Sequence, residues 1–167
     1  MIRLTRILST ILFMCLFGYA FSVNAQDSDG DKMIRLSGLL QENAPKHLTV
    51  KKLEADFTLK ELRFYNPWEK STDNYSGIFL EDLVAKYALP ETQSIHFKSI
   101  DDYETDIEKS DWTKFRILLV TRKNGQYVPV SDKGPIRIVF PDYTPNSKDF
   151  EMDLYKWIWM INRIEFK

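Results

Sequence analysis

The chain has 167 residues, with 23 Lys and Arg against 24 Asp and Glu, 44% apolar and 14% aromatic side chains, one cysteine and two histidines. A net charge of -1 lacks the basic footprint that a phosphate backbone demands, which disfavours nucleic-acid binding as the main function. The apolar and aromatic content excludes a wholly disordered chain, and the length makes one domain the expectation.

The first segment reads as a secretory signal peptide over residues 1–25. Arg3 and Arg6 form a basic start, Ile7 to Tyr19 is apolar but too short to span a bilayer, and Val23-Asn24-Ala25 offers compact residues before a cleavage site. Cleavage would start the mature chain at Gln26 and leave 142 residues; losing Arg3 and Arg6 takes the net charge to -3. The mature domain would then enter an oxidising compartment. Cys15, the only cysteine, is lost with the signal, and Met14 ahead of it is not the small residue that a lipid-attachment site wants. The mature domain thus has neither a disulfide nor a thiolate metal ligand.

Residues 26–32 (QDSDGDK) read as a flexible leader, because the spaced aspartates are not followed by the Glu that would close a calcium loop. Residues 33–167 read as the domain. Ile34 to Leu39 alternates as an opening strand, and Thr49 is placed to cap a short helix, Val50 to Ala55, with Leu48 as its staple. Phe57 to Tyr65 alternates as a strand that stops at Asn66-Pro67. After Gly77, the residues Leu80, Leu83, Val84 and Tyr87 share one face of a helix over Ile78 to Tyr87. Ser94 to Ile100 is a strand candidate. The run Asp101 to Asp111, with six carboxylates, reads as a solvated loop or a docking surface. Asn124-Gly125 is a hairpin turn between Phe115–Lys123 and Gln126–Val130. Ile136 to Phe140 reads as a strand, Phe150 to Trp157 as a helix, and Trp159 to Lys167 as a closing strand. Short strands with a few small helices and no repeat predict an α+β, mainly β, single domain.

Chemistry-bearing motifs are few. His47 and His96 are far apart with no cysteine beside them, and no Ser-His-Asp order, Gly-rich phosphate loop or HExxH helix occurs. Asp102 and Tyr103 follow a strand and can face a pocket, or be a turn former and a core ring. Trp68, in the loop after Asn66-Pro67, can stack on a ligand or cover the core. Lys133 and Gly134, before Pro135, offer a cation and a backbone open to close approach, or simply a turn. Arg137 alternates with Ile136 and Ile138, which points it to solvent; facing a pocket, it would hold a carboxylate or phosphate tail. Trp112, Trp157 and Trp159 read as core, or as an interface surface.

Several segments resemble, in order, the molybdopterin-binding oxidoreductase domain, the fold named after sulfite oxidase. They are Leu48-Thr49-Val50-Lys51-Lys52-Leu53, Asn66-Pro67-Trp68, the run Tyr75 to Leu83, Asp101-Asp102-Tyr103, Phe115 to Val120 with Asn124-Gly125, Lys133 to Pro141, and Trp159 with Arg163-Ile164-Glu165. The resemblance implies a pterin ligand, with Trp68, Asp102, Tyr103, Lys133, Gly134 and Arg137 as the candidate pterin-binding residues. Catalytic members are larger and hold molybdenum through a protein cysteine, which the mature chain lacks, so no molybdenum is expected. Small secreted members, the PruR-type periplasmic proteins, bind a reduced pterin and work with the sensor region of a membrane cyclic-di-GMP enzyme. The resemblance therefore implies a non-catalytic pterin sensor. The alternatives are a molybdopterin-dependent oxidoreductase or accessory subunit lacking a protein thiolate, and an interaction module with a vestigial pocket.

Overall fold

The computed structural model describes residues 25–144 and 154–167. In chain order they form α1 (Ala25–Gly30), β1 (Met33–Gly38), β2 (His47–Thr49), α2 (Val50–Asp56), β3 (Lys60–Asn66), β4 (Ser71–Phe79), α3 (Leu80–Tyr87), β5 (Ser94–Ser99), β6 (Glu104–Glu108), α4 (Lys109–Lys114), β7 (Leu118–Lys123), β8 (Gln126–Tyr127), β9 (Arg137–Val139) and β10 (Ile161–Phe166). Single 3₁₀ turns cover Val130–Asp132 and Leu154–Lys156. The α+β, mainly β reading holds. All but Ala25 of the expected signal peptide lies outside the described residues.

Two sheets carry the domain. One has the order β2-β1-β10-β5-β6, in which β1 and β10 run parallel and the other neighbours antiparallel. The other runs β3-β4-β7, and β8 and β9 share the far edge of β7, opposite Arg122–Lys123 and Leu118–Val120 respectively. Alternation works as the sequence suggests where one face is wet: in β1, Ile34 and Leu36 are buried while Met33 and Arg35 are exposed. Both sheets and α3 contribute to one buried cluster, which includes Leu36, Phe97, Ile164 and Phe166 from the first sheet, and Tyr75, Ile78 and Leu119 from the second. Each such side chain contributes roughly 1.5–3 kcal/mol by leaving water.

Local signals set several boundaries. Thr49 caps α2, its hydroxyl accepting the Lys52 amide at 3.1 Å. The Asn124-Gly125 hairpin uses positive φ at both residues, 51° and 79°, as its tight turn requires. Glu54 then ties α2 to that hairpin by accepting from the Thr121 hydroxyl at 2.6 Å, Arg122 Nη2 at 2.7 Å and the Tyr127 hydroxyl at 3.0 Å.

Other expectations are corrected. The helix expected from Ile78 starts at Leu80, because Ile78 and Phe79 pair with Leu119 and Leu118 in β4. The polar residues Ser71–Asn74 form the outer half of β4 through pairing with β3, which the sequence does not signal. The acidic run is mostly structured rather than a solvated loop: Glu104–Glu108 is an edge strand with Thr105 and Ile107 buried, and Lys109–Lys114 is a helix. Its outward carboxylates are what an edge strand carries against unwanted pairing. Within residues 26–32 the backbone of α1 ends at Gly30, which is buried against Lys51 and Tyr127.

Candidate functional site

Three loops meet at one end of the sheets and enclose a cleft of about 330 Å³ lined by Trp68, Asp101, Tyr103, Leu154, Tyr155, Trp157 and Trp159. The Asn66 side chain shapes the first loop, its Oδ1 accepting the amides of Trp68 at 3.0 Å and Glu69 at 3.4 Å. In the second, the Asp101 carboxylate accepts from the Ser99 hydroxyl and from the Tyr103 amide. The third is bound to the second twice: the Tyr103 hydroxyl donates to the Tyr155 carbonyl at 2.7 Å, and the Ile100 amide to the Met160 carbonyl at 2.9 Å. Trp68 and Trp159 meet edge to face, with centroids 5.8 Å apart and planes at 73°. Lys133 Nζ lies 4.7 Å above the Trp159 ring.

Backbone strain gathers around this cleft. Lys70, Asp102, Lys133 and Met160 have φ of 53°, 66°, 64° and 54° and flank its walls, whereas Asn124, the fifth such non-glycine position among the described residues, serves the hairpin. Left-handed conformations at residues with side chains are unfavourable and persist only where the surroundings impose them. The cleft is open and built, which argues against a collapsed, vestigial pocket.

Behind Trp68 lies a buried ionic cluster. Glu69 accepts from Lys123 Nζ at 2.8 Å, from the Tyr75 hydroxyl at 2.8 Å, and from Arg137 Nη1. Burial alone would raise the Glu69 pKa, but the hydrogen bonds from Lys123 and Tyr75 and the charge and hydrogen bond of Arg137 outweigh it and hold the carboxyl at about 2. Burial and the hydrogen bond to Glu69 push the Tyr75 hydroxyl up. The third loop is anchored by a buried ion pair, Lys156 to Asp111 at 2.8 Å, and Asp111 also accepts the Glu108 amide at the start of α4.

The structure brings together only part of the expected residue set. Trp68 and Tyr103 line the cleft, and Lys133 sits beside it on Trp159. Asp102 does not line it: its side chain is 83% exposed and pairs with Lys98 at 3.1 Å, because the left-handed backbone at Asp102 turns it outward and leaves Asp101 on the wall. Gly134 is a packing residue rather than an open approach, since a Cβ there would lie 1.8 Å from the Val128 carbonyl oxygen. Arg137 is buried rather than facing solvent. All of β9 is buried, so alternation with its neighbours carries no information, and Arg137 pairs with Glu69 while its Nε and Nη2 have no partner. Asp101, Tyr155, Trp157 and Trp159 were not expected in the site. The two-residue spacing of the tryptophans was visible, but not that Trp157 would be both core and wall, with a buried Nε1 that lacks an acceptor.

The family model for the oxidoreductase molybdopterin binding domain matches residues 33–166. The chain belongs to this family. Among solved structures, it is similar to the sulfane dehydrogenase SoxCD from Paracoccus pantotrophus, with a TM-score of 0.58 and 15% identity over 83% of this chain and 38% of that one. The likeness is one of fold, and this chain spans well under half of that relative's length. No curated protein sequence matches. The described residues fit the two parts of the family's cofactor differently. The cleft suits a flat heterocycle: its volume lies in the range of small-molecule sites, roughly 300–1,000 Å³, and its walls are aromatic. The metal end does not fit, because the described residues include no cysteine and no grouping of three or more His, Asp or Glu able to hold a metal.

Proposed function

We propose that this domain is a periplasmic, non-catalytic pterin-binding protein that reports ligand occupancy to the sensor region of a membrane cyclic-di-GMP enzyme. The observation that carries the ligand reading is the strained, open aromatic cleft with the Asp101 carboxylate on its wall, in a domain of a family named for binding molybdopterin. The bicycle lies against Trp159 or Trp68, Asp101 accepts from its amino-pyrimidine edge, and Lys133 is the cation nearest the ring carbonyl. Arg137, held by Glu69, acts from behind the wall and not as a tail receptor. The lack of cysteine in residues 26–167 supports a site without molybdenum, and the signal-like residues 1–25 support a periplasmic location.

Titration of the mature protein with a tetrahydropterin, followed by tryptophan fluorescence, tests this directly. Saturable quenching is expected; no saturable response to any reduced pterin would sink it. Family membership itself favours a second reading, a molybdopterin-dependent oxidoreductase or accessory subunit that holds its metal without a protein thiolate. Stoichiometric molybdenum in protein purified from its native compartment would establish that reading instead.

A further inference from the structure

The cleft has a second chemical character, independent of pterin binding. Five aromatic side chains, Trp68, Tyr103, Tyr155, Trp157 and Trp159, line its space of about 330 Å³. Among the described residues, the only formal charge on that lining is the Asp101 carboxylate. The rings come from three separate loops, and two of them, Trp68 and Trp159, meet at 73°. Walls that meet at a steep angle can also enclose a compact, rounded group on several sides. Aromatic faces carry negative quadrupole density and attract cations, and a box of such faces beside a carboxylate is the arrangement that recognises alkylated ammonium groups. Within this protein the Trp159 ring already takes an ammonium, that of Lys133 at 4.7 Å.

We propose that the cleft binds the head of a small quaternary ammonium compound, its methyl groups against Trp68, Tyr155 and Trp159 and its charge balanced by Asp101. Lys133 then acts against such a ligand by like-charge repulsion, although it favours the carbonyl of a pterin. The two ligand classes thus respond oppositely to its removal.

The test is calorimetric titration of the full mature protein with choline, beside its neutral carbon isostere 3,3-dimethyl-1-butanol. Choline is expected to bind saturably and about tenfold more tightly than the isostere, the difference that two or more desolvated cation–aromatic contacts provide. Asp101→Asn and Trp68→Ala, both at exposed positions, are each expected to weaken choline at least fivefold, and Lys133→Ala to strengthen it. Equal affinity for choline and the isostere, no binding of choline, or choline affinity unchanged in both weakening variants would overturn the proposal. A parallel titration with tetrahydropterin separates the two ideas: binding of the pterin without choline removes only this one, and binding of choline without the pterin removes only the pterin reading.

Discussion

Two neighbouring aspartates have different fates at the residue scale. Asp101 lines the cleft and Asp102 points away to Lys98, so Asp101→Asn is expected to weaken tetrahydropterin binding about tenfold and Asp102→Asn to leave it unchanged, as read by fluorescence titration. Glu69 is the second decisive residue. Its carboxyl titrates at about 2 in the folded protein against 4.5 ordinarily. It therefore contributes stability that is fully present above pH 4.5 and is lost as pH falls from there toward 2, amounting to about 3 kcal/mol. Glu69→Gln leaves Arg137 and Lys123 without their shared carboxylate and is expected to cost about 3 kcal/mol in urea unfolding at pH 7. The same variant should lose less stability than the parent between pH 4.5 and 2.

The third loop, which supplies three of the cleft's aromatic walls, depends at the element scale on an ion pair that ties it to α4. Lys156 and Asp111 are both nearly buried, so removing one charge strands the other. Asp111→Asn keeps an acceptor for the Glu108 amide but not the charge; it is expected to destabilise the fold by about 3 kcal/mol and to weaken tetrahydropterin binding several-fold through displacement of Tyr155 to Trp159. Pairing it with Lys156→Met should recover much of the stability, which a thermal unfolding comparison of single and double variants checks. The α2 cap is simpler. Thr49→Ala removes the acceptor for the Lys52 amide and should cost about 1 kcal/mol by urea unfolding, with no effect on the cleft.

At the scale of the whole molecule, the matched family domain, residues 33–166, contains no cysteine. Mass spectrometry of protein recovered from whole cells is expected to find an N-terminus at Gln26, and elemental analysis of the same sample to find no stoichiometric molybdenum. An N-terminus at Met1 would remove the secretory reading.

What was legible in the sequence was whatever short-range chemistry decides. Thr49 caps because a hydroxyl sits three residues before a free amide, Asn124-Gly125 turns because both residues tolerate positive φ, and strands such as β1 and β5 alternate where one face is wet. Positions covered on both sides were not legible this way: Arg137 looks solvent-facing by alternation and is buried against Glu69. The sequence by itself determined the mainly β class, a domain without cysteine over residues 33–166 and an aromatic supply large enough for a site. Only the tertiary structure decided which aromatics meet and which of two adjacent aspartates joins them. Those outcomes rest on three distant loops, on a left-handed residue that turns Asp102 outward, and on buried ion pairs whose partners lie dozens of residues apart in the chain.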